Sequence, residues 1–168
     1  VVDGIPHLRV ENRVLPAGPT VVDVMANAAF YYGALRMLAS DERPLWTKMS
    51  FDAAQSNFAE GARLGVDAVF YWPGIGTVPW DELVLRRLLP LAEEGLSRWG
   101  VSRAVRDRYL TIIEERAKRR VNGASWQADT VSALQARGLD RPQALAEMLR
   151  RYAEGMHANA PVHTWELP

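Results

Sequence analysis

Cysteine is absent from the chain, which excludes disulfides, thiolate metal sites and a cysteine nucleophile. The absence fits a cytoplasmic location. Excess charge of either sign is also missing, because 20 Lys and Arg balance 20 Asp and Glu. With no strong overall field, nucleic acid and anionic membrane are excluded as main partners. No uninterrupted apolar run is long enough for a membrane span: the nearest, Val21 to Ser40, is broken by Asp23, Asn27 and Arg36, and charges at helix centres are costly in lipid. The opening Val1-Val2-Asp3-Gly4 lacks the pattern of a signal peptide, and no Met begins the chain, so a piece of a longer polypeptide is expected. Linkers, repeats and low-complexity stretches are missing too, which leaves one domain over residues 1–168.

What is present is an ordinary globular composition, 48% hydrophobic and 24% charged, ample for a packed core. Residues 7–15 alternate as a strand. Pro16, Gly18 and Pro19 break it, and Thr20 is placed to cap a helix over 21–40 that is apolar on nearly every face, as buried helices are. Ser50 opens a second helix through Leu64, with Phe51, Ala54 and Phe58 on one face and Gly65 as its stop. "VDAVFYWPGIGTV" predicts a hairpin turning at Pro73-Gly74. Pro79 starts a Leu-rich helix that Pro90 should kink or split. Ser102 opens a helix ending in the cationic "ERAKRR". Residues 124–138 read as helix, and Asp140 with Gln143 forms a capping box for the last one. The tail "NAPVHTWELP" is expected to be extended. The fold class is therefore α+β: predominantly helical, with an N-terminal strand of an antiparallel sheet plus a hairpin.

The strand carries the chemistry. Arg9, Glu11 and Arg13 fall on alternate positions, so all three project from one face, roughly 6.5–7 Å apart. A surface ladder of ion pairs, each worth under ~1 kcal/mol, explains this pattern. So does a cavity wall on which the carboxylate holds a hard divalent cation and the guanidiniums clamp phosphate or carboxylate oxygens. One carboxylate is too few for a metal site, so further ligands would have to come from elsewhere.

"LRVENRVLPAGPTVVDVMANAAFYYGALRML" resembles the Arg-x-Glu-x-Arg strand and following Ala-rich helix of the glutamine synthetase and glutamate–cysteine ligase superfamily. The blocks "ENRVLPAGPT", "WPGIGTVP", "LVLRRLLPLAEEGL", "NGASWQ" and "PVHTW" are similar to recurring blocks of bacterial glutamate–cysteine ligase-like proteins, so the resemblance spans nearly the whole chain. It implies a carboxylate–amine ligase that uses ATP to form an acyl phosphate, which an amine then attacks. It further implies that Glu11 binds Mg²⁺, that Arg13 contacts the transferred phosphate or the substrate carboxylate, and that Arg9 contacts the nucleotide phosphates. Metal and arginine together supply the positive charge that phosphoryl transfer demands. In that family the other metal carboxylates lie on strands preceding this motif. The resemblance therefore makes this chain the C-terminal part of a catalytic domain, partnered by its upstream half and acting on small-molecule amino-acid substrates. A helical interaction or regulatory module that keeps the scaffold without turnover is the alternative. Either way the strand at 7–15 would expose an edge able to pair with a second copy.

Other candidates are weaker. His7, His157 and His163 have no metal spacing. Gly74-Ile75-Gly76 is a turn rather than a phosphate loop. The cationic residues 116–120 could touch a nucleotide but suit a solvated helix end. Trp126, just after Asn122-Gly123, could stack on a nucleotide base, with plain core as the alternative. Arg63 could reach the site from the second helix.

Overall fold

Local signals set most of the element boundaries. A computed structural model of the chain describes residues 4–6, 11 and 18–168. The strand expected at 7–15, its exposed edge, and both Arg9 and Arg13 lie outside the described residues.

Helix α1 spans Val21–Ala39, α2 Phe51–Leu64, and the strands β1 Val69–Trp72 and β2 Gly76–Pro79 follow. Helix α3 is the short segment Trp80–Leu83, joined by a π-helical turn at Val84–Leu88 to α4, Leu89–Arg98. Helices α5 (Arg103–Arg119), α6 (Gly123–Ala136) and α7 (Arg141–His157) complete the order, with short 3₁₀ turns at Leu45–Thr47, Gly65–Asp67 and Val162–Thr164. The chain is thus predominantly helical α+β, with one small antiparallel sheet among the described residues.

The π turn has a cause. Pro90 has no N–H and its ring collides with the carbonyl four residues back, so the helix widens just ahead of it. The helix is not split at Pro90; it continues from Trp80 through the π turn into α4. Ser50 accepts from the amide of Ala53 as α2 begins, Gly65 ends that helix at φ 54°, and Asp140 and Gln143 form the reciprocal cap of α7. The hairpin registers Val69 with Pro79 and Trp72 with Gly76. It turns through Gly74 at φ 80° with Ile75 N–H donating to the Trp72 carbonyl, as a Pro-Gly turn requires. The outer edge of β1 is not bare: the Asn57 amide of α2 both donates to and accepts from the Tyr71 backbone, each at 2.8 Å.

The core forms where α1 crosses α4 and α5. Val22, Ala26, Val84, Ile112, Ile113 and Ala117 bury one part, and Ala34, Ala92, Leu96 and Leu110 bury the next. At the crossing α1 and α4 touch backbone to backbone. A Cβ on Gly33 would lie 2.2 Å from the Ala92 carbonyl oxygen, and one on Gly95 would lie 1.9 Å from that of Gly33. Two glycines allow this approach, and alanines complete the seam.

Two expectations are corrected, and one apolar face proves open. Helix α1 is apolar all round but not buried all round: Val21, Met25, Tyr32 and Leu35 are exposed, since α4 and α5 cover only one side of it. On α2 the apolar face is likewise open, with Phe51 80% exposed and Phe58 63%. The tail is not simply extended. Pro161 leads into a 3₁₀ turn whose Val162 is fully buried.

Candidate functional site

The start of α1 is tied to the C-terminal segment and to α5. Its first free amides need acceptors, and two different sources supply them. Thr20, the cap, accepts from Asp23 N–H at 3.1 Å and donates its hydroxyl to Asp23 Oδ2 at 2.8 Å. Asn159, beyond the end of α7, accepts from Val22 N–H at 3.0 Å. Asp23 is 0% exposed, and its Oδ2 also accepts from Val162 N–H at 3.1 Å. A buried carboxylate is costly unless several donors reach it, and here these donors clamp the C-terminal turn onto the first turn of α1.

One turn along α1, Asn27 continues the polar stripe. Arg116, from α5, donates through Nη1 to Asn27 Oδ1 at 2.8 Å and comes within 4.0 Å of Asp23 Oδ1. Asp23 Oδ1 itself is buried without a hydrogen bond. Nε and Nη2 of Arg116 make no hydrogen bond with the described residues. Burial pulls this guanidinium below its usual range, with Asp23 opposing the shift. It remains a cation all the same, because arginine does not lose its proton in proteins.

Arg116 and Asn27 border a cleft of about 320 Å³ walled by Phe30, Phe70, Trp80, Val84 and Ile113. A second lobe of about 380 Å³ runs along α1 past Ala34 to Leu38 and shares Asn27, Phe30 and Arg116 with the first. The hairpin wall is held firmly. Trp80 donates from its indole to the Val66 carbonyl at 2.6 Å. Arg120, in the left-handed conformation that closes α5, donates to the same carbonyl at 2.6 Å and pairs with Asp67 and Asp81, each at 3.1 Å.

The cationic end of α5 is exposed at Lys118, Arg119 and Arg120, yet its arginines are tied to the rest of the fold. Arg116 points inward, Arg119 donates to the His163 carbonyl at 3.0 Å, Arg120 ties down the hairpin, and Lys118 pairs with Glu114 and Glu115. His163 lies beside Arg119, and burial together with that charge lowers its pKa.

Of the residues singled out from the sequence, Glu11 is exposed, while Arg9 and Arg13 lie outside the described residues. Trp126 is 2% exposed. It packs edge-on against Trp165 with ring centroids 4.9 Å apart and near Tyr152 at 6.3 Å, so it fills the core between α6, α7 and the tail. Arg63 pairs with its neighbour Glu60. Among the described residues no group of three His, Asp or Glu could hold a metal ion. Those residues therefore do not fit a Mg²⁺ site by themselves, and Trp126, in the core, offers no ring face to a nucleotide base.

Asp23, Asn27 and Arg116 went unrecognised as a group in the sequence. The available signal was two polar residues four apart inside an otherwise apolar helix, a spacing that puts both on one face. No helix among the described residues is long and apolar enough to cross a membrane. No family model, curated protein or solved structure matches the chain.

Proposed function

We propose that the chain is the C-terminal part of the catalytic domain of a cytoplasmic, ATP- and Mg²⁺-dependent carboxylate–amine ligase similar to glutamate–cysteine ligases. Its upstream half would complete the site. In this reading Glu11 contributes to the metal site, Arg13 to the phosphate or substrate carboxylate, and Arg9 to the nucleotide phosphates.

One observation supports it above the others. Two of the sequence blocks that carry the resemblance lie far along the chain, yet they reach Pro19 and Asp23, shortly after the Arg-x-Glu-x-Arg segment. Asp23 binds the backbone of Val162 from "PVHTW". Gly123 of "NGASWQ" lies so close to Pro19 that a Cβ there would be 2.7 Å from the proline Cγ. Trp126 of the same block packs on Trp165, and α4, from "LVLRRLLPLAEEGL", crosses α1 at Gly33. A scaffold serving the strand at 7–15 would concentrate its ties at this place.

Calorimetric titration of Mg-ATP into the chain, with Glu11→Ala and Arg13→Ala alongside, tests the proposal. Binding that weakens at least about tenfold in each variant, roughly 1.4 kcal/mol, supports it. Equal binding in all three proteins, or none at millimolar nucleotide, overturns the strand as a nucleotide site of this chain.

The second reading, a non-catalytic interaction module, is favoured by the open apolar faces of α1 and α2. It predicts self-association or partner capture by those faces, read by sedimentation, with no response to nucleotide.

A further inference from the structure

We infer that the cleft between α1, the hairpin and α5 is a binding site for a compact carboxylate carrying an aromatic or branched apolar group, with Arg116 as its anchor. The inference stands on the cleft alone and does not draw on the ligase reading.

The walls and the anchor point to the same chemistry. Phe30, Phe70, Trp80, Val84 and Ile113 make the cleft apolar, and its volume of about 320 Å³ is that of a small-molecule pocket. A cation stands in this apolar setting. The Arg116 side chain is only 17% exposed, and its charge is incompletely answered. Its one hydrogen bond goes to a neutral amide oxygen at 2.8 Å. The nearest carboxylate oxygen, Asp23 Oδ1, stays at 4.0 Å, beyond hydrogen-bond range, while Asp23 spends its other oxygen on Thr20 and Val162. The Nε and Nη2 donors, adjacent on one edge of the guanidinium, have no hydrogen-bond acceptor among the described residues. That edge is the fork that receives a carboxylate through two parallel hydrogen bonds. A ligand carboxylate at that edge would add two charge-assisted hydrogen bonds. Asn27, held by Nη1, fixes the orientation of the fork.

Selectivity follows from the same geometry. A neutral analogue of equal shape would keep the apolar contacts and lose the two charge-assisted bonds. A large or highly charged ligand such as a nucleotide would bring several phosphate charges against aromatic walls with one arginine to answer them.

The probe is 3-phenylpropanoate, titrated by calorimetry with tryptophan fluorescence as a second readout, because Trp80 lines the cleft. Its neutral counterpart, 3-phenylpropan-1-ol, is titrated in parallel. Arg116→Lys keeps a charge facing Asp23 but removes the fork. Gly61→Leu places a side chain into the cleft from α2, where a Cβ would meet only the Phe70 ring at 3.4 Å, and it replaces a helical glycine with a better helix former. One-to-one binding of the carboxylate is expected, weakened at least about tenfold in the alcohol and in Arg116→Lys, and abolished in Gly61→Leu with the melting temperature maintained. Equal affinity for acid and alcohol, unchanged affinity in either folded variant, or no binding of the acid at millimolar concentration overturns the inference.

Discussion

Replacing Gly95 with alanine should destabilise the protein, although alanine is the better helix former. In the middle of a helix the exchange gains about 1 kcal/mol from backbone propensity. Against this, the new Cβ would lie 1.9 Å from the carbonyl oxygen of Gly33, whereas non-bonded heavy atoms in contact sit about 3.5 Å apart. The obstacle is backbone in the middle of α1, so no rotamer change relieves it, and the two helices must part by more than about 1 Å. Overpacking costs about 1–3 kcal/mol where neighbours can adjust; here the upper end applies, because parting α1 from α4 also loosens Ala34, Ala92, Leu96 and Leu110. The net effect is a loss of about 2 kcal/mol, which for a chain of this size lowers Tm by about 4–8 °C. Gly33→Ala should behave alike, its Cβ falling 2.2 Å from the Ala92 oxygen. Gly61→Ala supplies the opposite sign within the same experiment. There the nearest atom is a Phe70 ring carbon at 3.4 Å, so the propensity gain survives and Tm should rise by about 2–4 °C. Thermal unfolding followed by circular dichroism reads all three. A Gly95→Ala protein as stable as the parent would refute the close crossing and the packing derived from it.

Asp23→Ala should cost about 3 kcal/mol, because it leaves the Val162 amide without its buried acceptor and Arg116 without its nearest counter-charge; faster hydrogen exchange at Val162 than at Leu96 would confirm the clamp, and equal exchange would exclude it. Gly155→Ala should expel the Trp165 indole, whose Cε2 would lie 2.3 Å from the new Cβ; the tryptophan emission should shift red, and an unchanged spectrum would contradict the packing. Glu147 accepts from Arg150 and Arg151, which hold its carboxyl at about 2 against a usual 4.5. Because that pKa is depressed on folding, the stabilisation is complete above about pH 4.5 and fades as pH falls through about 2; a carbon-detected titration of Glu147 with its midpoint near 4.5 would disprove the pairing.

How far the fold could be read in advance depended on whether the deciding contact was local. Ser50, the pair Asp140 and Gln143, and the Pro73-Gly74 turn act within a few residues of themselves, and each did what its chemistry dictates. Pro90 belongs with them, since its clash is with its own helix. The polar group at Asp23 was of another kind. Its partners Val162 and Arg116 lie on the tail and on α5, and no pattern within a window of the chain pairs them. The cationic run at 116–120 shows the same limit: it reads as a solvated helix end, and its last three residues are exposed, but the acceptors at Asn27, Asp67, Asp81 and His163 lie on distant segments. The apolar face of α2 shows the converse limit, because amphipathicity tells which side is greasy but not whether anything covers it.

Helix α1 links these features mechanically. Its first turn is fixed to the tail through Asp23, its middle presents Asn27 and Phe30 to the cleft, and Gly33, on the turn after Phe30, bears on α4. Val84, on the opposite wall, leads through the continuous π-turn helix into Ala92 and Gly95 at that same contact. Any change that parts α1 from α4 must therefore also move Phe30 relative to Val84 and widen the cleft. The glycine contact thus sets the width of the pocket from about one helical turn beyond Phe30, and the Asp23 clamp sets its depth by holding Asn27 opposite Arg116. If so, Gly95→Ala at a temperature where the protein is still folded should weaken binding of 3-phenylpropanoate, while leaving the roughly tenfold preference for acid over alcohol intact, since the fork on Arg116 is untouched. Loss of that preference together with affinity would show that the crossing positions the guanidinium itself. Unchanged affinity would show that the two walls move independently, and the argument from helix continuity would fail.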